Sequence, residues 1–137
     1  MPRAYWPLQN DCPFIQVELS RFSGTGQGLV RRLVADTGAG TRQSVFQLVL
    51  AENECLQCGG ILMGPVQLGG AYAGWFPVYL VWVRVALLNF DEPVPVVAVS
   101  HVPAGFDGIA GFKFLNRFHY GNFGDPGSFG LDLLPAP

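Results

Sequence analysis

At 137 residues, half of them hydrophobic, the chain is long enough to bury one real core and too short for two. Only 13% of residues are charged, the net charge is -2 and no basic block occurs, which argues against a nucleic-acid partner. A surface this poor in charge is expected to be covered in part by self-association.

Eighteen glycines and eleven prolines separate short apolar runs along the chain, the texture of an all-β domain with many turns. Residues 1–15 carry Pro2, Pro7 and Pro13 and no continuous apolar stretch, so no leader peptide is expected there. Phe14–Leu19 alternates and predicts a strand, Ser23–Gly28 a glycine turn, and Leu29–Ala35 a second strand. The resulting hairpin delivers Asp36 at its far end. Ser44–Glu54 fits either a short helix or an irregular strand. Cys58–Gly64 predicts a glycine-rich break, Pro65–Leu68 the start of a strand, and Gly69–Trp75 a hairpin tip. Val78–Leu88 predicts a long strand region and Val94–Ser100 another strand, with Pro95 near its start or at an edge.

Pro103–Gly111 predicts a loop containing a short apolar piece, Ile109–Ala110. Phe112–Phe118 predicts a helix with Phe114, Leu115 and Phe118 toward the core and Lys113, Asn116 and Arg117 toward solvent. The tail predicts a short apolar strand before a proline-rich end. The most membrane-like window, Trp75–Phe90, is too short to span a bilayer and carries Pro77 and Arg84. It reads as buried strand, so no membrane partner is expected and the cytoplasm is the default location. Trp75, Phe76, Tyr79 and Trp82 fit core or dimer aromatics better than specificity pockets.

Three cysteines are an odd count for a disulfide framework. Cys55 and Cys58 have metal-knuckle or redox spacing, yet zinc needs about four ligands, and Cys12, His101 and His119 show no paired spacing. Structural thiols are the leading reading, with a redox pair and a metal site as alternatives. His101 and His119 read as surface residues, and no Ser/His or Cys/His pair is expected.

Asp36 is a lone carboxylate at the end of an apolar strand, followed by Thr37, Gly38, Ala39 and Gly40, which have little shape of their own. By itself an Asp-x-Gly is most often a turn. Here the order of parts is a strand hairpin, the Val34–Gly40 stretch VADTGAG, the glycine-containing tip LGGAYAG (Leu68–Gly74), further strands, and GIAGFKFLNRF (Gly108–Phe118). This order resembles the single-domain, retropepsin-like aspartic proteases, over roughly residues 14 to 123.

The resemblance implies a closed acid-protease barrel with one short C-terminal helix, as a single domain over residues 1–137 whose termini could serve as dimer strands. It implies an aspartic endopeptidase acting as a homodimer on a peptide or protein substrate. Asp36 would be catalytic, Thr37, Gly38 and Ala39 the active-site loop, and Gly69, Gly70, Ala71 and Tyr72 the flap. Ile109, Ala110 and Gly111 would support the loop, and Thr37 would bond across to the partner loop. Neither metal nor organic cofactor is implied.

Two carboxyls a few ångströms apart share one proton, so one can act as general base on water while the other acts as acid. The chain has one Asp-Thr-Gly. Asp11, Asp91, Asp107, Asp125 and Asp132 lie in polar, Gly- or Pro-flanked, or tail contexts. An active enzyme therefore needs two copies with their Asp36 residues on a two-fold axis.

Many relatives carry Ser or Thr where this chain has Ala39, and such a hydroxyl stabilises an ionised carboxylate. Without it, a less acidic activity optimum is expected. Retroviral members pair an Asp after Asp-Thr-Gly-Ala with an Arg after the apolar-apolar-Gly. These positions are Gly40 and Phe112 here, so no charge is stranded and the dimer contact must be apolar or different. The rival reading is a retropepsin-fold binding or scaffold module whose Asp36 is structural.

Overall fold

A computed structural model of the chain describes residues 3–21 and 28–134. Most of the Ser23–Gly28 turn lies outside these. The described elements are β1 (Arg3–Pro7), β2 (Phe14–Ser20), β3 (Leu29–Ala35), β4 (Leu48–Ala51), α1 (Glu52–Gln57), β5 (Ile61–Leu68), β6 (Gly74–Val85), β7 (Phe90–Val99), β8 (Gly108–Ala110), α2 (Phe112–Leu115), β9 (Phe118–Gly121) and β10 (Ser128–Leu133). Single turns of 3-10 helix occupy Gly70–Tyr72 and Ala86–Leu88.

Six strands close a barrel in the order β2-β3-β8-β4-β7-β6, with β6 returning to β2 through Glu18–Ser20 against Trp82–Arg84. The pairings of β3 with β8 and of β4 with β7 are parallel, and the others in the ring are antiparallel. β4 reads Leu-Val-Leu-Ala without alternation because it is central and covered on both faces. β2 alternates because one face meets the core.

β6 is longer than its neighbours need. Its second half closes the barrel on β2, while its first half pairs with β5 from Gly74 to Leu80. The β5–β6 hairpin therefore projects beyond the closed ring. Against β2 and the Ala86–Leu88 turn, β1, β10 and β9 form a separate antiparallel sheet. The barrel core holds Ile15, Leu33, Leu50, Val81 and Val96, and α2 adds Phe114 and Leu115, all essentially without solvent exposure. Phe114 meets Phe90 edge-on at 5.5 Å between ring centroids, a favourable aromatic geometry.

Several expectations need correction. The helix predicted over Phe112–Phe118 ends at Leu115, and Phe118 already belongs to β9; Phe114, Leu115 and Phe118 are nonetheless all buried. It is not the only α-helix, because Ser44–Glu54 resolves into β4 followed by the start of α1. Glu52 and Glu54 in the first turn of α1 suit the positive end of its dipole. The expected break at Cys58–Gly64 contains the first residues of β5.

The expected loop at Pro103–Gly111 ends in β8, wedged between β3 and β4. Gly108 makes that wedge fit, since a Cβ there would lie 2.2 Å from the Val49 carbonyl oxygen. Both edges of β10 are already paired, with β1 and with β9. The short apolar strand expected in the tail is β10, and Asp132 within it is buried and ion-paired with Arg3 at 2.8 Å. Among the described residues no helix is long and apolar enough to cross a membrane.

Candidate active site

Asp36 follows β3 directly. Its amide donates to the Ala110 carbonyl at 3.0 Å, so β8 sets where β3 ends. The Gly38 amide donates to Asp36 Oδ1 at 2.9 Å, and the Ala39 amide donates to the Asp36 carbonyl at 3.1 Å. A Cβ on Gly38 would lie 3.2 Å from the same carboxylate oxygen. Gly40 has φ +81, a left-handed conformation that favours glycine.

The segment from Ile109 to Gly111 supports this loop from behind. The Phe112 amide donates to the Ala39 carbonyl at 2.9 Å, and the Gly111 amide donates to the Gln47 carbonyl at 3.0 Å. A side chain on Gly111 would put its Cβ 2.8 Å from the Ala39 oxygen. Close packing of two backbones thus explains the glycine.

Asp36 opens onto a groove of about 570 Å³, within the range of small-molecule and peptide sites. Val49 and Ile109 form its floor, and Gln43 to Phe46 one wall. The β5–β6 hairpin lies over it, with Val66, Leu68 and Tyr72 facing inward. Among the described residues Asp36 is the one charged side chain lining the groove. Gly70 has φ +67 and would meet nothing within 4 Å if given a Cβ, so the tip is an open glycine turn. Burial raises the hydroxyl pKa of Tyr72 beneath that tip.

Asp36, Gly38, Ala39, Gly69, Gly70, Tyr72 and Ile109 therefore line one cavity. Thr37 is exposed on the loop and does not line it. Ala110 and Gly111 are buried behind the loop, and Ala71 belongs to the tip turn Gly70–Tyr72. Sequence reasoning missed the Gln43–Phe46 wall, because it has no periodicity to read. It also missed Val66, although Val66 and Leu68 at alternate positions of β5 carry the signal.

Lys113, expected in solvent, is half-buried and donates from Nζ to the Ser44 carbonyl at 2.8 Å. Arg117, also expected in solvent, is half-buried; it donates to Gln47 Oε1 at 3.0 Å and pairs with Glu92 at 2.6 Å.

The cysteines lie elsewhere and are free. Burial pushes the Cys55 thiol up to about 12 and also raises Cys58, whose Sγ donates to the Cys55 carbonyl at 3.5 Å. Thiols held protonated are poor nucleophiles and poor metal ligands. Among the described residues no group of three or more His, Cys, Asp or Glu is placed to hold a metal ion. One Ser/His contact does exist, against expectation: Ser100 Oγ lies 2.8 Å from His101 Nδ1. The two are exposed sequence neighbours just after β7, and neither lines the groove.

No protein-family model matches this sequence, and no curated protein matches it.

Proposed function

We propose that this chain is a retropepsin-like aspartic endopeptidase, built on an acid-protease barrel and active as a homodimer. The observation that carries the reading is the setting of Asp36: a lone carboxylate in a tight glycine loop, opening onto an apolar groove beneath a glycine-tipped hairpin. A hydrolase needs its general base near an extended substrate with water otherwise excluded, and this groove has that form.

In the dimer one Asp36 comes from each copy, and the two carboxyls hold one proton between them. The ionised one takes a proton from water as the water oxygen bonds to the peptide carbonyl carbon. The protonated one gives its proton to the carbonyl oxygen. The tetrahedral adduct then collapses: its nitrogen takes the proton that the first carboxylate had accepted from water, one of its hydroxyls returns a proton to the other carboxylate, and the C–N bond breaks to leave an acid and an amine. The substrate lies as an extended strand beneath the Gly69–Tyr72 tip. Because both edges of β10 are filled within one chain, the partner meets other surfaces than the sides of β10. Three free thiols suit a reducing compartment such as the cytoplasm.

One observation favours the rival reading of a binding module. The Asp36 carboxylate accepts its bond from Gly38 two residues on, the geometry of an ordinary Asx turn.

The deciding experiment incubates a diverse mixture of synthetic peptides with the wild type and Asp36→Asn, across mildly acidic to neutral pH, with sedimentation of both proteins. Cleavage by a dimeric wild type is expected, falling by ~10³-fold or more in the variant with fold and dimer intact. An optimum in the mildly acidic to neutral range fits the absence of a hydroxyl at Ala39. A monomeric wild type that cuts nothing makes Asp36 a turn residue in a binding module.

A further inference from the structure

The chain has a single lysine, Lys113. It stands on α2, and its ammonium reaches across to the groove wall. There Nζ donates to the Ser44 carbonyl at 2.8 Å, an ammonium-to-oxygen bond of the strong, charge-assisted kind.

The wall needs such a tie. Between Asp36 and Leu48 the chain has neither strand nor helix, so no regular hydrogen-bond ladder fixes it. Its bonds can be followed one by one. At the near end Ala39 accepts from the Phe112 amide at 2.9 Å. At the far end the Gln47 amide donates to the Pro95 carbonyl at 2.9 Å, the Gln47 carbonyl accepts from Gly111 at 3.0 Å, and the Gln47 side chain accepts from Arg117 at 3.0 Å. Between them Thr41 and Ser44 close a turn on themselves: the Thr41 amide donates to Ser44 Oγ at 2.8 Å, and the Ser44 amide donates to the Thr41 carbonyl at 3.1 Å. That turn would be self-contained without the lysine. Lys113 is the side chain that ties its crest to α2. Val45, next along, is 54% exposed and lines the groove, so the height of the crest decides where Val45 meets a ligand.

We propose that Lys113 is a positioning residue for peptide binding: its ammonium holds the Gln43–Phe46 wall against α2 and sets the affinity of the groove, not the chemistry at Asp36. The kinetic part of this rests on the protease reading above. The structural part stands without it.

The test compares wild type, Lys113→Met and Lys113→Arg. Methionine keeps an apolar stem of similar length and loses the donor, whereas arginine keeps a cationic donor. Amide hydrogen exchange across residues 41–47 is expected to speed up ~10-fold in Lys113→Met, with exchange in β4 and β7 unchanged. For the best-cut peptide of the mixture, KM should rise ~10-fold at unchanged kcat, and Lys113→Arg should restore most of both.

If Lys113→Met does not fold, acetylation of folded protein replaces it. With one lysine, the amines reached are Lys113 and the terminal amine, and acetylated Lys113→Arg controls for the terminal amine and for side reaction at Cys12 and exposed tyrosines. The KM rise is then expected in acetylated wild type and not in acetylated Lys113→Arg.

Unchanged exchange over 41–47 overturns the proposal. So does faster exchange with unchanged KM, or a fall in kcat at constant KM, which would put Lys113 in the chemistry. A wild type that cuts no peptide sinks the protease reading separately, and the exchange measurement still decides whether Lys113 holds the wall.

Discussion

The molecule has two apolar clusters that behave as opposites. The barrel cluster, around Ile15, Leu50, Val81, Val96 and Phe114, is sealed by a ring of strands that has no free edge of its own. The second cluster centres on Phe46, Val49, Val97, Val99 and Ile109. It is capped by half-buried residues, among them Val66, Leu68 and Tyr72 of the hairpin, Ala39 of the Asp36 loop, Val34 of β3 and Val102 after β7. One cluster has finished burying its surface on folding. The other keeps apolar area that a ligand can still cover, and the single carboxylate lies at its border. On the proposed reading, stability is concentrated in the first and binding in the second, the usual division between a rigid scaffold and the loops it carries.

Breaking that contrast gives the largest expected effect. Phe114→Ala removes a ring with no solvent exposure that packs on Phe90 and Phe118, and should cost about 3–5 kcal/mol of folding stability. Denaturant titration reads this directly, and activity should be lost only as the fold is lost. A cost under about 1 kcal/mol would mean that α2 is not part of the core.

Val66→Ala is the counterpart in the roof of the groove. It removes two methyl groups from a half-buried position, so stability should fall by no more than about 1 kcal/mol. Peptide KM should rise all the same. A large stability loss with no change in KM would erase the distinction between the two clusters.

The terminal sheet adds Ala4, Phe118 and Leu131 to the barrel cluster, but its Arg3–Asp132 pair is part-exposed and should give the smallest effect, visible through pH. The hydrogen bond from Arg3 leads the causes that hold the Asp132 carboxyl below the usual carboxylate range, followed in the same direction by the Leu133 amide. A carboxylate whose folded pKa is depressed adds stability at pH values above its unfolded pKa of about 3.9, and that stability is lost as pH falls through the lower folded value. Thermal unfolding followed from neutral pH down to strongly acidic pH should therefore show a smaller acid-side loss in Arg3→Met than in wild type. Parallel curves would detach the pair from stability.

What could be read beforehand depended on periodicity. β2 was legible because its alternation suffices to set a period of two, and β3 because a run rich in Leu and Val follows a glycine turn. β8 was not, because Gly108–Ala110 is too short to show a period, and its place between β3 and β4 comes from pairing with distant residues. β1 and β9 were missed for the same reason: each becomes a strand by pairing with β10, more than a hundred residues from β1 in sequence. Lys113 was assigned to solvent by helical phase, which sees only the residue's own helix and not the Ser44 carbonyl that approaches it.

By itself, then, the sequence determined a fold rich in strands, the hairpin that ends in Asp36, the glycine turn after it and the core face of α2. These follow from local rules: alternation, small residues at turns and the apolar positions of a helix. The tertiary structure alone decided that Gly108–Ala110 is a strand between β3 and β4, that Val66 and the Gln43–Phe46 segment line the groove, and that the only lysine ties the groove wall to α2. Each of these is a contact between residues far apart in the chain, and such contacts exist only after the barrel has closed and brought the distant strands together.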